Sequence, residues 1–262
     1  MEFKEVIGRR RSIRYFLPYR AVEREKIQTI LEAARLASCA VNATFLRAIV
    51  VQRDHLAPEV LEELKTPVSA LNLELAPVHI YFYGDLRTLR ESRGQTLKEL
   101  IEVGALNVTH GWSHTFVDEV VWAQVLAPLT KDPVKLVGMV AVDCGVAICQ
   151  ALLTAFDEGL GACLSAFEAQ RAKVAFGVPD HWMPIYALLL GYPAESWEAG
   201  GQRPRPPFSE LYFEGHYGNP WRRDPQVVAK LQAAKMLQDP APLPWRLAEI
   251  KTLARAFGLP EE

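Results

Sequence analysis

The side chains with the most chemistry in them come early in the chain. Arg10, Arg11, Ser12 and Arg14 fall within five positions, followed by Tyr15 and Phe16. On a helix end Arg10 and Arg14 are spaced i, i+4, so their guanidinium groups can converge on one point, while Arg11 projects elsewhere and Ser12 adds a hydroxyl. Planar guanidinium groups suit bidentate phosphate contacts. The wider segment 1–26 holds eight basic residues (Lys4, Arg9, Arg10, Arg11, Arg14, Arg20, Arg24, Lys26) against four acidic ones (Glu2, Glu5, Glu23, Glu25), a net +4. The whole chain has 29 Lys+Arg and 31 Asp+Glu, net −2, which leaves the other 236 residues at −6. Taken alone, the string also reads as a solvated basic helix end. A general nucleic-acid surface calls for further basic and aromatic clusters and a positive balance. One enclosed phosphate fits the distribution better, and no nucleic-acid partner is expected.

Other motifs fail on spacing. Gly159-Leu160-Gly161 has Leu at position 164, so the third glycine of G-x-G-x-x-G is missing, and it follows a helix instead of a strand. There is no G-x-x-x-x-G-K-[ST] loop and no G-x-S-x-G elbow. His110 and His114 are i, i+4, but Gly111 lies between them with no Glu in second place, and no metal site is expected. Cys39, Cys144, Cys149 and Cys163 form no C-x-x-C pair and are too few for a disulfide framework. The opening Met1–Glu5 has no apolar run, so no secretory leader is expected. The stretch 136–156 is long enough to span a bilayer but carries Asp143 and Gln150. An Asp at mid-span costs roughly 2.5–3.5 kcal/mol on insertion scales, so a buried soluble element and a cytoplasmic location are expected, with no membrane partner.

The elements that must position these residues follow from periodicity. Phe3–Arg11 reads as a short helix. A second runs from Val22 to Leu36, with Ile27, Ile30, Leu31 and Ala34 on one face. Ser38–Thr44 reads as a loop, and Ala48–Gln52, Ala76–Tyr83, Ala162–Phe167 and Ile185–Leu190 as strands. Val120–Leu126 reads as a helix ended by Pro128, Asp143–Glu158 as a long apolar helix stopped by Gly159, and Ala169–Phe176 as a short helix before Gly177. Gly200–Pro207 must be extended. Two amphipathic helices close the chain, one capped by Asp224 with Pro225 at its first position, one from Pro244 to Gly258. Strands separated by helices give an α/β or α+β fold.

These strings, taken together, resemble the nitroreductase-like FMN-dependent oxidoreductases. Arg10-Arg11-Ser12-Ile13-Arg14-Tyr15-Phe16 is similar to the family's opening R-R-S-x-R-x-F, and Glu32–Asn42 to its "EAA…APSAGN". Ala76-Pro77-Val78 is similar to "APV", Val142–Ala147 to "xDxGxA" opening the central helix, and Gly159–Cys163 to "GLGTC". Leu190–Glu195 is similar to "LGYPAE" and Arg205–Leu211 to "RKPLEEL". The resemblance spans residues 3–212. It implies an α+β fold, an α/β/α sandwich around a mostly antiparallel sheet, with an FMN-binding domain over 1–212 and a C-terminal helical extension over 213–262, an arm or a lid.

The resemblance further implies that Arg10 and Ser12 bind the ribityl phosphate of FMN and that Arg11 and Arg14 lie around the flavin's pyrimidine edge or phosphate. Asn42 would hydrogen-bond the ring edge, although by itself it reads as a turn residue. Leu164 and Ser165 would lie along the ring near N5, and Arg205, or alternatively Arg203, would reach the phosphate from the extended segment. It implies a homodimer with FMN at the interface, in keeping with a helix 143–158 that is apolar all round. The implied activity is ping-pong hydride transfer from NAD(P)H through flavin N5 to a nitroaromatic, quinone or enone, with no catalytic side chain required. The alternative is an FMN-binding or flavin-consuming protein without NAD(P)H turnover. Thr44-Phe45-Leu46 stands where the family usually has Gln-Pro-Trp, a departure in the loop beside Asn42.

Overall fold

The computed structural model describes residues 2–260; Met1, Glu261 and Glu262, at the outer ends of the two expected regions, lie outside the described residues. Helices α1 (Phe3–Arg9) and α2 (Arg24–Arg35) precede strand β1 (Leu46–Gln52), and α3 (Pro58–Leu64) and α4 (Ala70–Leu75) lead to β2 (Val78–Asp85). Next come α5 (Thr88–Ser92), α6 (Gln95–Glu102) and a continuous run of α7 (His114–Phe116), π-helical Val117–Leu126 and α8 (Ala127–Leu129). Then come α9 (Pro133–Asp157), β3 (Gly161–Ser165), α10 (Ala169–Phe176) and β4 (Trp182–Gly191), with α11 (Phe208–Leu211), α12 (Pro225–Ala233) and α13 (Arg246–Phe257) last.

The four strands form one antiparallel sheet in the order β1-β2-β4-β3. Alternation along β2 sends Val78, Ile80 and Phe82 into one apolar cluster with α2 and α9, and Tyr81 and Tyr83 into the other with α3, α4 and α10. Every residue of β2 is buried, as expected of a central strand covered by helices on both faces. The expected α+β sandwich is therefore the fold.

Two expectations need correction. Helix α9 starts at Pro133, well before Asp143, with Asp132 Oδ1 accepting from the Lys135 N–H at 3.1 Å as its cap. The helical run also continues past Pro128: in the π-helical segment the Ala127 N–H reaches Trp122 O, so a residue without an N–H is accommodated where hydrogen bonds are already rerouted. Within the single chain α9 has one exposed side. Leu136, Val140, Cys144, Ala147, Ile148 and Ala151 pack inward, but Val134 is 81% exposed and Val142 66%, and Val146 is exposed beside them. By length and composition this helix could cross a membrane, yet one whole side of it is packed into the core.

Candidate functional site

The N-terminal string is brought to the edge of the sheet. Strand β3 pairs with β4 on one side only, and on the other a parallel bridge joins Ser12 to Ala162, with the Ile13 N–H donating to Ala162 O at 3.1 Å. Ile13 and Phe16, at 1% and 0% exposure, anchor the string in the core beneath. Since Ala162 turns its carbonyl to the open edge, Leu164 two residues on presents its backbone N–H to that same edge, while Ser165 faces β4 opposite Ala187. Arg10, Ser12, Arg14 and Leu164 are thus gathered along one open strand edge, with Ser165 immediately behind.

The second wall is the extended segment after Gly201. Arg205 acts electrostatically on Arg10, and Arg14 and Arg205 on Arg203. Burial, with Arg205 adding to it, pulls the Arg10 guanidinium below its ordinary value; burial, then Arg14, does the same to Arg203. Among the described residues no carboxylate pairs with Arg10, Arg14, Arg203 or Arg205; Arg14 and Arg205 donate only to the neighbouring carbonyls of Ser12 and Pro204. Arg10 and Arg203 are half-buried and Arg14 and Arg205 exposed; with Glu195 the one carboxylate acting on Arg203, the four cations gathered here form a seat suited to a multiply charged anion.

Arg11 is placed differently from the other arginines. It is 6% exposed and donates from Nη1 to Gly8 O at 2.6 Å and Arg10 O at 2.9 Å, from Nε to Gly201 O at 3.0 Å, and from Nη2 to Gln238 Oε1 at 3.2 Å. Four of its five N–H donors are thus taken by the chain itself.

Asn42 belongs to a loop anchored on Asp143 of α9. Its loop is a 3-10 turn over Ala40–Asn42 in which Val41, Asn42 and Thr44 all have positive φ, at 50°, 54° and 47°. Left-handed backbone at a β-branched Val or Thr is strained, and such strain gathers at ligand clamps. Two bonds hold it: the Ala40 N–H donates to Asp143 Oδ2 at 2.7 Å and Thr96 Oγ1 to Val41 O at 2.6 Å. Arg10 instead lies within electrostatic reach of Cys149, about 9 Å further along α9 at 1.5 Å per residue. Of the replaced loop residues, Phe45, at 1% exposure, and the half-buried Leu46 join the main core, while Thr44 stays exposed.

Sequence reasoning gave no role to Glu195. Its side chain is 1% exposed, and Oε1 accepts from the Arg14 N–H at 2.6 Å and the Tyr15 N–H at 3.1 Å. Oε2 lies 2.7 Å from Arg246 Nη2, an ion pair without hydrogen-bond alignment. Arg246 also binds Glu249 at 2.6 Å, and Glu249 accepts from the Ser196 N–H. This buried carboxylate fixes the direction in which Arg14 leaves the string. The one available signal was its position inside the Leu190–Glu195 string. His110 and His114 assemble no metal ligands, and no group of three metal-binding side chains exists among the described residues.

A helix-covered antiparallel sheet with arginines collected on its open edge places the chain among α+β proteins. The Nitroreductase family model matches residues 7–192, and the chain belongs to that family. It is similar in structure to a nitroreductase family protein from Streptococcus pneumoniae TIGR4, with TM-score 0.64 and 19% identity over 81% of this chain and 100% of that one. It is similar to a protein from Exiguobacterium sibiricum solved in complex with FMN, with TM-score 0.63 and 22% identity over 81% and 96%. A gut-bacterial enone reductase of fatty acid saturation aligns with TM-score 0.58 and 20% identity over 74% and 90%. No curated protein matches the chain. Residues 193–262 lie beyond the family match.

Proposed function

We propose that this chain is an FMN-dependent oxidoreductase that takes hydride from NAD(P)H and passes it to a small acceptor such as a nitroaromatic, quinone or enone. The observation that carries the proposal is the anion-free cluster of Arg10, Arg14, Arg203 and Arg205 beside the open edge of β3. Arg10, Ser12 and Arg205, with Arg203 behind, would hold the phosphate, and Arg14 would face the ring's electron-rich pyrimidine side. The Leu164 N–H would lie against the ring. Bound there, FMN supplies two-electron hydride transfer through N5. The chain's own contribution is to bind and orient it.

The proposed assembly is a homodimer. The exposed apolar side of α9 supports it, and a second copy would bring its Asn42 loop to a site that one chain leaves open on that side. Four free cysteines agree with a cytoplasmic, reducing location. A second reading, an FMN-binding or flavin-consuming protein without NAD(P)H turnover, is favoured by Phe45, which is buried in the core where the family's usual Pro-Trp would stand. Steady-state NADH and NADPH oxidation with a panel of acceptors separates the two. Turnover with either donor supports the oxidoreductase, whereas full FMN occupancy with no oxidation of either donor refutes it in favour of the second reading. A colourless preparation that cannot be reconstituted with FMN refutes both.

A further inference from the structure

Arg10 and Arg14 lie on one stretch of chain and Arg203 and Arg205 on another, far away in sequence. Like charges repel, so the two stretches must be held together before any anion arrives. The contacts that hold them come from the C-terminal segment, beyond the family match. Gln238 is the hub: its Oε1 accepts from Arg11 Nη2 at 3.2 Å, and its backbone N–H donates to Gln202 Oε1 at 3.0 Å. Gln202, next to Arg203, donates from its backbone N–H to Asp239 O and accepts from the Ala241 N–H, both at 2.9 Å, and donates from Nε2 to Met236 O at 3.0 Å. Arg11 closes the triangle through Gly201 O.

Two glycines mark where the segment crosses the two stretches. A Cβ on Gly8 would lie 2.0 Å from Lys235 O, and one on Gly201, which has φ 115°, would lie 2.8 Å from Ala241 Cα. Neither place admits a side chain. Each stretch that carries the cations is therefore in backbone-close contact with the same ten or so residues.

We infer that the segment 235–243 is an intrachain brace that sets the spacing of the phosphate-binding arginines, with Gln202 and Gln238 as its positioning residues. The inference rests on the reading of the arginine cluster as the FMN phosphate site. None of the brace's bonds goes to the open edge of β3 where the ring would lie. Its loss therefore moves the phosphate contacts and spares those to the ring. That separates positioning from general structural support, which would weaken both.

The test titrates the apoprotein with FMN and with riboflavin, which has the same ring and no phosphate, following flavin fluorescence and recording melting temperature in parallel. For Gln202→Ala combined with Gln238→Ala, FMN affinity falls about tenfold while riboflavin affinity stays within about twofold. Gln238→Glu, which keeps the acceptor for Arg11, holds FMN affinity within about threefold of wild type. Each single alanine variant repeats the effect in part, should the pair be too unstable to titrate. Unchanged FMN affinity in the folded variants, or an equal drop for FMN and riboflavin, overturns the inference. A wild-type protein that takes up FMN but not more tightly than riboflavin also overturns it, whereas one that takes up neither flavin refutes the cofactor reading on which it stands.

Discussion

Replacing Arg10 and Arg246 separately by alanine turns the two kinds of arginine at this site into opposite outcomes. Arg10 is half-buried with no anionic partner, and the backbone groups it supplies, the N–H to Val6 O and the carbonyl to Arg11, survive the substitution. Its removal ends a repulsion with Arg205. Stability of the apoprotein should therefore stay within about 0.5 kcal/mol of wild type. FMN affinity should fall by the worth of a hydrogen bond to a charged group, about 1.5–3 kcal/mol, which is one to two orders of magnitude in Kd. Arg246 is the reverse. It neutralises Glu195, whose side chain is 1% exposed, and also binds Glu249. Stranding a buried carboxylate costs about 3–5 kcal/mol, and the two backbone N–H groups left on Oε1 place the loss near the lower figure. At about 2–4 °C per kcal/mol for a chain of this size, that is a fall of roughly 6–12 °C in apoprotein melting temperature. Scanning calorimetry of the apoproteins and fluorescence titration with FMN read the two quantities independently. If Arg10→Ala lowers the melting temperature as far as Arg246→Ala and leaves FMN affinity intact, Arg10 is a structural cation and the placement of the phosphate is refuted.

His79 should give the protein an acid-sensitive limb. Burial pulls its pKa from 6.5 to about 4, with Nε2 against Leu73 O and Ala76 O and Nδ1 against Tyr81 Oη. A base whose folded pKa is depressed takes up its proton on unfolding. The stability this gives is complete above pH 6.5 and lost as pH falls towards 4, by about 3 kcal/mol in all. A melting series between pH 7 and 4 on wild type and His79→Gln checks it: the variant should start lower and show a flatter acid limb, and parallel curves would remove His79 as the cause. Val142→Arg places a cation on the exposed side of α9, where folding of the single chain should be indifferent. Burying that charge between two copies costs several kcal/mol, so light scattering should show a monomer and FMN content should fall with it. A variant that remains dimeric would exclude this face as the interface.

What the sequence disclosed was local. The helix Ala169–Phe176 with Gly177 after it, the Asp224-Pro225 start and the Gly258 stop all stand as expected, because caps and left-handed glycines act within a few residues. The strands came in the right order with ends a few residues off. The first turns of α9 were missed because Gly138 interrupts its pattern and Pro128 and Pro133 looked like breaks. The assignment of Arg11 needed Gln238, 227 positions away, and that of Glu195 needed Arg246; neither pairing leaves a trace in spacing. Within one chain the apolar composition of α9 covers both a core face and an exposed face. An apolar surface reserved for a partner has the same composition as a core, so periodicity registers burial without saying against what.

The near-zero net charge and the arginine cluster belong to one physical arrangement. The arginines repel one another, most where Arg10 and Arg203 are half-buried, and the chain offsets this with Glu195 and its Arg246 clamp, the bonds of Arg11 and the glycine-tight crossings of the C-terminal segment. Those contacts are formed whether or not a ligand is present, so the repulsion is fixed in advance and a phosphate that enters relieves it at little cost in reorganisation. A ligand that binds only the folded state stabilises it by RT ln(1 + [L]/Kd), so the affinity gained from relieved repulsion must reappear as thermal stability. Saturating FMN should accordingly raise the melting temperature of wild type more than saturating riboflavin does, and Arg10→Ala should shrink that difference by lowering the FMN value alone. A flavin site in which the arginines acted only through shape would show the two ligands stabilising alike.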